Sequence, residues 1–224
     1  MTRRLPQLAA ITFAVLFACA LMITPLSPGI DRSGESIAAH LNEHATALRV
    51  QALLAVLGTL ALVVVLGFAR TRLDGAAGYV FTIGSAVVVT ETAVEMWFIS
   101  GLALHPDELD PGTARVLVDI ASMWGPMLTV ADVMVAVPVA LAAANRRFPR
   151  WLGVLAAIFA VEQLVETVTI LGGPGFIAPG GVMNLYVGGP LFIVFFLALG
   201  LTAAEPDHVS TSKNESPSSG VPSI

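Results

Sequence analysis

Apolar residues along the chain fall into six runs, at residues 7–27, 50–69, 77–103, 116–144, 151–171 and 182–203. Each is near the length that crosses a hydrocarbon core of roughly 30 Å, and short polar stretches separate them. The pattern predicts an all-α fold, a polytopic transmembrane helical bundle of six spans. The first run is uncharged from Leu8 to Thr24, and the second is broken in polarity only by Gln51 and Thr59, so neither shows evident chemistry. Pro126 and Pro138 in the fourth run and Pro190 in the sixth each remove a backbone hydrogen bond. They predict kinks that act as hinge or cavity points.

Between the first two spans, residues 33–48 read as a short helix lying on the outer mouth of the bundle. Ser33 is its N-cap, Glu35 lies in its first turn, and Ile37, Leu41, Ala45 and Leu48 form one stripe. Residues 204–224 are rich in Ser and Pro without apolar periodicity, which predicts a disordered tail after a six-helix domain of residues 1–203.

Six acids lie inside the runs: Glu91 and Glu95 in the third, Asp119 and Asp132 in the fourth, Glu162 and Glu166 in the fifth, with no basic residue expected to accompany them. Facing lipid, they would cost on the order of 15–20 kcal/mol together, more than a domain's usual net stability. They are therefore expected to face the bundle interior or water. Glu91 and Glu95 are four apart, as are Glu162 and Glu166, so each pair shares one helical face. Spans three and five run in the same direction, and counting along them places the two pairs at matching depths. This predicts a four-carboxylate cluster between those spans, with Thr90, Thr92, Gln163, Thr167 and Thr169 as neighbouring donors. Asp119 belongs to the outer end of span four and Asp132 to its deeper part, on an inner exit path. Buried carboxyls without a cation are tolerated by staying protonated, sharing protons, meeting water or holding a cation. That is the chemistry of a proton relay or a cation site. Neutral carboxyls acting as interhelical hydrogen-bond glue are the rival reading, in a non-catalytic membrane subunit or assembly partner.

Composition narrows the classes. The chain has 224 residues, 56% hydrophobic and 12% charged, with a mean hydropathy of +0.83, which rules out an ordinary soluble domain. A net charge of −5 leaves no basic surface for a nucleic-acid partner. The single cysteine, Cys19, excludes an internal disulfide framework and cysteine-based metal clusters. No phosphate-binding glycine loop, nucleophile elbow or dinucleotide fingerprint is present, and no cofactor is expected.

Positive charges predict the sidedness. Arg3, Arg4, Arg70, Arg72, Arg146, Arg147, Arg150 and Lys213 fall on one side, against Arg32, Arg49 and Arg115 on the other. Eight against three predicts cytoplasmic N- and C-termini in a plasma (inner) membrane, with Trp97 and Trp151 as interfacial anchors. Arg3 and Arg4 before an apolar run ending in Leu16-Phe17-Ala18-Cys19 also suggest a lipoprotein signal. Phe17 departs from the small or aliphatic residue expected there, and the loop parity needs the first span, so a retained helix is expected.

In the outer helix, His40-Leu41-Asn42-Glu43-His44 matches H-x-x-E-H, in which two histidines bind zinc and the glutamate is a base. A loop of about 20 residues lacks a third ligand and a cleft, which counts against an enzyme. With His44 on the apolar stripe and His40 at its edge, the pair is expected either to pack at the interface or to form an outer gate, His40, Glu43 and His44 capping the acidic cluster and metering cations; His105, Asp107, Glu108 and Asp110 then add to that mouth or form a solvated turn.

The first span ending in Pro28-Gly29-Ile30-Asp31, the alanine-rich outer helix with Asn42 and His44, Arg49 opening span two, and Phe148-Pro149-Arg150-Trp151-Leu152-Gly153-Val154-Leu155 entering span five resemble an uncharacterised bacterial family of short six-helix integral membrane proteins. The resemblance covers roughly residues 1–203 and implies a bacterial plasma membrane. It carries over no activity and no functional residue. From the residues themselves, the expected function is proton-linked cation or small-solute transport. The expected partners are the lipid bilayer, a proton or cation, and a membrane-protein partner or second copy of the chain.

Overall fold

Prolines set most of the helix boundaries. The computed structural model describes residues 4–173 and 175–203; Arg3, Lys213 and the 204–224 tail lie outside the described residues. Among the described residues every regular element is helical, in the order α1 (Leu5–Ile23), α2 (Gly34–Arg70), α3 (Gly75–Leu102), α4 (Pro111–Ser122), α5 (Trp124–Ala144), α6 (Arg150–Thr167) and α7 (Gly189–Ala203). Six helical segments are long and apolar enough to cross a membrane, α4 and α5 counting together as one. This is the architecture of a multi-pass membrane protein.

Four boundaries differ from the sequence expectation. α1 stops at Ile23 rather than running to 27, because Pro25 disfavours helical geometry at Thr24 and Pro28 follows. The outer helix and span two are one continuous helix of 37 residues. Ser33 does cap it, accepting from the Ser36 N–H at 3.4 Å. No Gly or Pro stands between Ser36 and Val50, so nothing breaks the helix where the apolar run begins, and α2 projects beyond a 30 Å slab. Span four is two helices meeting at Met123 rather than one kinked rod. Pro126 sits in the first turn of α5, where its missing N–H costs nothing, while its ring would clash with the Ser122 carbonyl of a continuous helix. Pro138 lies inside α5 without interrupting it. Before Pro190, residues Asn184–Gly188 form a π-turn that closes with Gly189 N–H donating to the Asn184 carbonyl.

α5 packs on both α3 and α6, while α1 packs on α2 and α7. The main core fills the half of the bundle toward the Arg70 and Arg147 end, around Phe13, Phe81, Leu152, Phe159, Phe195 and Phe196, all without solvent exposure. Phe159 stacks on Phe195 with centroids 4.7 Å apart, and Phe195 meets Phe196 edge-on at 5.0 Å. A second apolar cluster, with Ile37, Leu41, Leu102 and Val118, closes the end that carries the loops after α1 and α3. Between the two lies the polar part of the bundle. On α6, Val154, Ile158, Val161 and Val165 are exposed at helical spacing, a continuous apolar stripe suited to lipid.

Candidate functional site

The polar interior forms because three helices each turn one acid to the same space. Glu95 from α3, Asp132 from α5 and Glu166 from α6 line one cavity of about 160 Å³, together with Thr92, Gln163 and Gln51. Asp132 and Glu166 are 1% and 2% exposed. Gly188, on the π-turn, makes the room: a Cβ there would lie 2.7 Å from Glu166 Oε2 and 3.3 Å from Glu162 Oε1. Asn184, one turn before, donates through Nδ2 to Glu166 Oε1. Gln163 Nε2 donates to Glu162 Oε2 at 2.8 Å and to Glu166 Oε2 at 3.3 Å. Glu166 is thus held by an amide on each oxygen.

The other acids are not satisfied in this way. Asp132 Oδ1, Glu91 Oε2 and Glu162 Oε1 are buried with no hydrogen-bond partner. For groups this costly to leave unpaired, such atoms call for water, a proton or a ligand. No Lys, Arg or His lines the cavity.

A second cavity of about 220 Å³ lies under the loop after α1, lined by Thr24, Ser27, Gly29, His40, Ser122 and Pro179 among others. It reaches the surface, since Ser27 and Gly29 are exposed. Its wall shares Leu21, Gln51, Glu95, Gly125, Asn184 and Leu185 with the first cavity. The two are therefore neighbours, with Glu95, Gln51 and Asn184 in their common wall. Thr24 Oγ1 donates to Gln51 Oε1 at 2.8 Å and fixes that amide in the common wall.

The four glutamates do not form the single cluster expected between spans three and five. α5 packs on both helices, and α3 and α6 do not meet extensively, so Asp132 comes to lie among the glutamates, lining the cavity with Glu95 and Glu166 and within reach of the Glu91 and Glu162 charges, rather than on a separate inner path. Glu91 and Glu162, a turn farther from the loop-bearing end, are half-buried and lie outside the cavity lining. Asp119 is no part of this site either: at i,i+4 spacing it pairs with Arg115 Nε at 2.9 Å, a cation that counting span charges missed. The same Arg115 donates to the Ile30 and Arg32 carbonyls and ties down the loop after α1. Thr90 is exposed, on the lipid side of α3. Thr92 and Thr167 return their hydroxyls to the Val88 and Gln163 carbonyls. Thr129 on α5 joins Thr167 at 2.7 Å, linking α5 to α6. Thr169 Oγ1 is buried without a partner.

Of the expected gate, His40 lines the second cavity and its Nε2 is buried without a partner. His44 packs edge-on against it with ring centroids 4.6 Å apart, and Glu43 is exposed. Neither His44 nor Glu43 lines the cavity, because one helical turn carries them past its wall. His105 and Glu108 border a separate hollow beside Trp97. Among the described residues no group of three or more His, Cys, Asp or Glu is placed to hold a metal ion, so the zinc reading has no ligand set.

Three functional positions escaped the sequence reading. Gln51 is a polar break in span two, a run that otherwise shows no evident chemistry. Asn184 is the lone amide in the last span, beside Gly188, Gly189 and Pro190. Trp124 donates from Nε1 to the Glu91 carbonyl at 2.8 Å, pinning the start of α5 to α3 beside the acid pair.

No family model matches the chain, and no curated protein or solved structure matches it.

Proposed function

We propose that this multi-pass membrane protein carries out proton-linked transport of a cation or small solute, with Asp132, Glu95 and Glu166 as the binding or relay carboxylates. Glu91 and Glu162 extend the relay toward the Arg70 end, and His40 stands at the entrance. In this reading the loop-bearing end faces outside, and both termini face the cytoplasm of a bacterial plasma membrane. The excess of arginine at the other end supports that orientation.

One observation carries the reading. Three carboxyls from three helices line a cavity that has no cationic side chain in its wall and shares part of that wall with a second cavity under the loop after α1. Hydrogen-bond glue, the rival in a non-transporting subunit, is favoured by the Asn184–Glu166 contact. It does not account for Asp132 or Glu91, each of which leaves a buried oxygen without a partner, and the hydrogen bond that Glu162 receives comes from Gln163 on its own helix.

The test is proton flux into liposomes containing the purified protein, read with a trapped pH dye under an imposed potassium-diffusion potential. Transport predicts a flux, alone or on adding a substrate cation, that is lost in Asp132→Asn and in Glu166→Gln while both variants stay folded. Flux unchanged in both variants sinks the assignment of these carboxylates. Loss of a co-purifying membrane partner in the same variants, with no flux defect, supports the subunit instead.

A further inference from the structure

We infer that the cavity between α3, α5 and α6 takes a small organic ammonium ion with an apolar body about the size of a six-membered ring, its nitrogen held by Asp132. The inference rests on the transport reading and names its substrate class.

The wall is mixed: it carries Glu95, Asp132, Glu166 and the amide of Gln163 together with Phe17, Leu21, Leu128 and Phe192. An apolar wall is wasted on a hydrated inorganic ion, and the acids are not clustered as metal ligands among the described residues. Anions are excluded by the absence of Lys, Arg and His from the lining. A neutral solute would leave the acids uncompensated in low dielectric. Asp132 is the group that waits for a partner: it is 1% exposed, it lines the cavity, and its Oδ1 has no donor. Glu166, by contrast, already receives Asn184 and Gln163. A primary ammonium brings three donors to the unpartnered Asp132 carboxyl. Phe17 and Phe192, packed together with centroids 5.8 Å apart, supply apolar surface in the same wall for its body. A space of about 160 Å³ is of the size that accepts a benzene-sized ring.

The experiment is calorimetric titration of the full chain in detergent with benzylamine, which is protonated at neutral pH, against benzyl alcohol, which has the same ring and no charge. The expected result is one saturable site for benzylamine. Binding should be weaker by about tenfold or more for benzyl alcohol and for benzylamine with Asp132→Asn, as for a hydrogen bond to a charged group. Ala55 lies in the wall and is 3% exposed, so Ala55→Phe fills the space and should abolish binding. Equal affinity for the alcohol, or binding unaffected by filling, overturns the inference. Those two comparisons decide it even if Asp132→Asn does not fold. Absence of benzylamine binding alongside a proton flux that depends on Asp132 overturns the ligand class and leaves transport standing. Binding without any flux in wild-type liposomes supports the ammonium site and overturns transport.

Discussion

Replacing Asp132 by leucine separates a site from a strut, because the two readings give opposite signs for stability. Asp132 is 1% exposed and its Oδ1 has no donor; among the described residues its side chain makes no hydrogen bond. An unsatisfied buried polar group costs about 1–3 kcal/mol, and an acid near the centre of a membrane helix costs about 2.5–3.5 kcal/mol as a ceiling. Leucine removes that cost. Leucine has the same number of side-chain heavy atoms as aspartate, and its two methyls, bulkier than the oxygens they replace, adjoin a cavity of about 160 Å³, so the usual overpacking penalty of about 1–3 kcal/mol does not arise in full. The expected outcome is a protein more stable by about 1–2 kcal/mol in Asp132→Leu, with Asp132→Asn within about 1 kcal/mol of wild type, and with flux lost in both. Unfolding in mixed SDS and detergent micelles, followed by helical circular dichroism, measures the stabilities; the liposome assay measures the flux. A leucine variant less stable than wild type by about 1 kcal/mol or more would refute the argument, since it would mean that Asp132 holds a partner helix.

Gly188→Ala places a methyl 2.7 Å from Glu166 Oε2 and 3.3 Å from Glu162 Oε1. The side chains must swing, while alanine gains up to about 1 kcal/mol of helix propensity, so flux should fall about tenfold with stability unchanged within about 1 kcal/mol. Gly200→Val should destabilise by about 1–3 kcal/mol in the same unfolding assay, because a Cβ there already lies 2.5 Å from Ala10 Cβ and 3.0 Å from Val65 Cγ2. Phe159→Ala, which removes a fully buried ring packed against Phe195 and Phe196, should cost about 3–5 kcal/mol. Asp110 caps α4 by accepting from the Thr113 N–H at 3.0 Å, and the hydrogen bonds to Thr113 hold its carboxyl below the usual aspartate range. A lowered folded-state value means that the cap stabilises above the ordinary aspartate range, near 3.9, and loses this as pH falls through the lowered value. Asp110→Ala should therefore melt below wild type at neutral pH and approach it in acid, whereas Asp110→Asn should show little pH-dependent difference from neutrality to mild acid.

Helix number and approximate extent were legible because span length and apolarity are local properties. The boundaries that failed did so where a helix follows its own rules rather than the bilayer's. α2 runs on through Arg49 because nothing in Ala45–Ala52 stops it. α4 ends at Ser122 because a proline four residues later forbids its carbonyl the next turn. The acids themselves were equally plain, but the partition among them was not. Spacing of four puts Glu91 with Glu95 on one face, yet which member meets a cavity depends on helix rotation and on α5 packing against both neighbours. Asp119 illustrates the converse. Its partner Arg115 stood four residues away in the sequence, in reach once α4 is a helix, and was counted only as a loop charge. Gln51 and Asn184 carry no motif at all, and only tertiary placement turns a lone amide into part of a wall.

The position of the two backbone irregularities argues for a site more strongly than the acids do. Helix breaks in a bilayer leave carbonyls that lipid cannot satisfy, so they persist where protein or a polar cavity surrounds them. Here the break at Met123 and the π-turn at Asn184–Gly188 lie on different segments, yet both adjoin the carboxylate cavity, which is lined by Gly125 on one side and by Asn184, Gly188 and Gly189 on the other. The two are fitted to one another: a Cβ on Gly125 would come within 2.9 Å of Asn184 Nδ2, the amide that holds Glu166. Carboxyls serving only to join helices are best served by straight helices in close contact, and such a bundle has no use for two interruptions at one level or for the space between them. Interrupted helices around a cavity are what binding a polar solute in a membrane demands. Restoring regular helix by shifting Pro190 or removing Pro126 should accordingly tighten the bundle and close the site, with Pro126→Ala raising the unfolding midpoint while lowering flux.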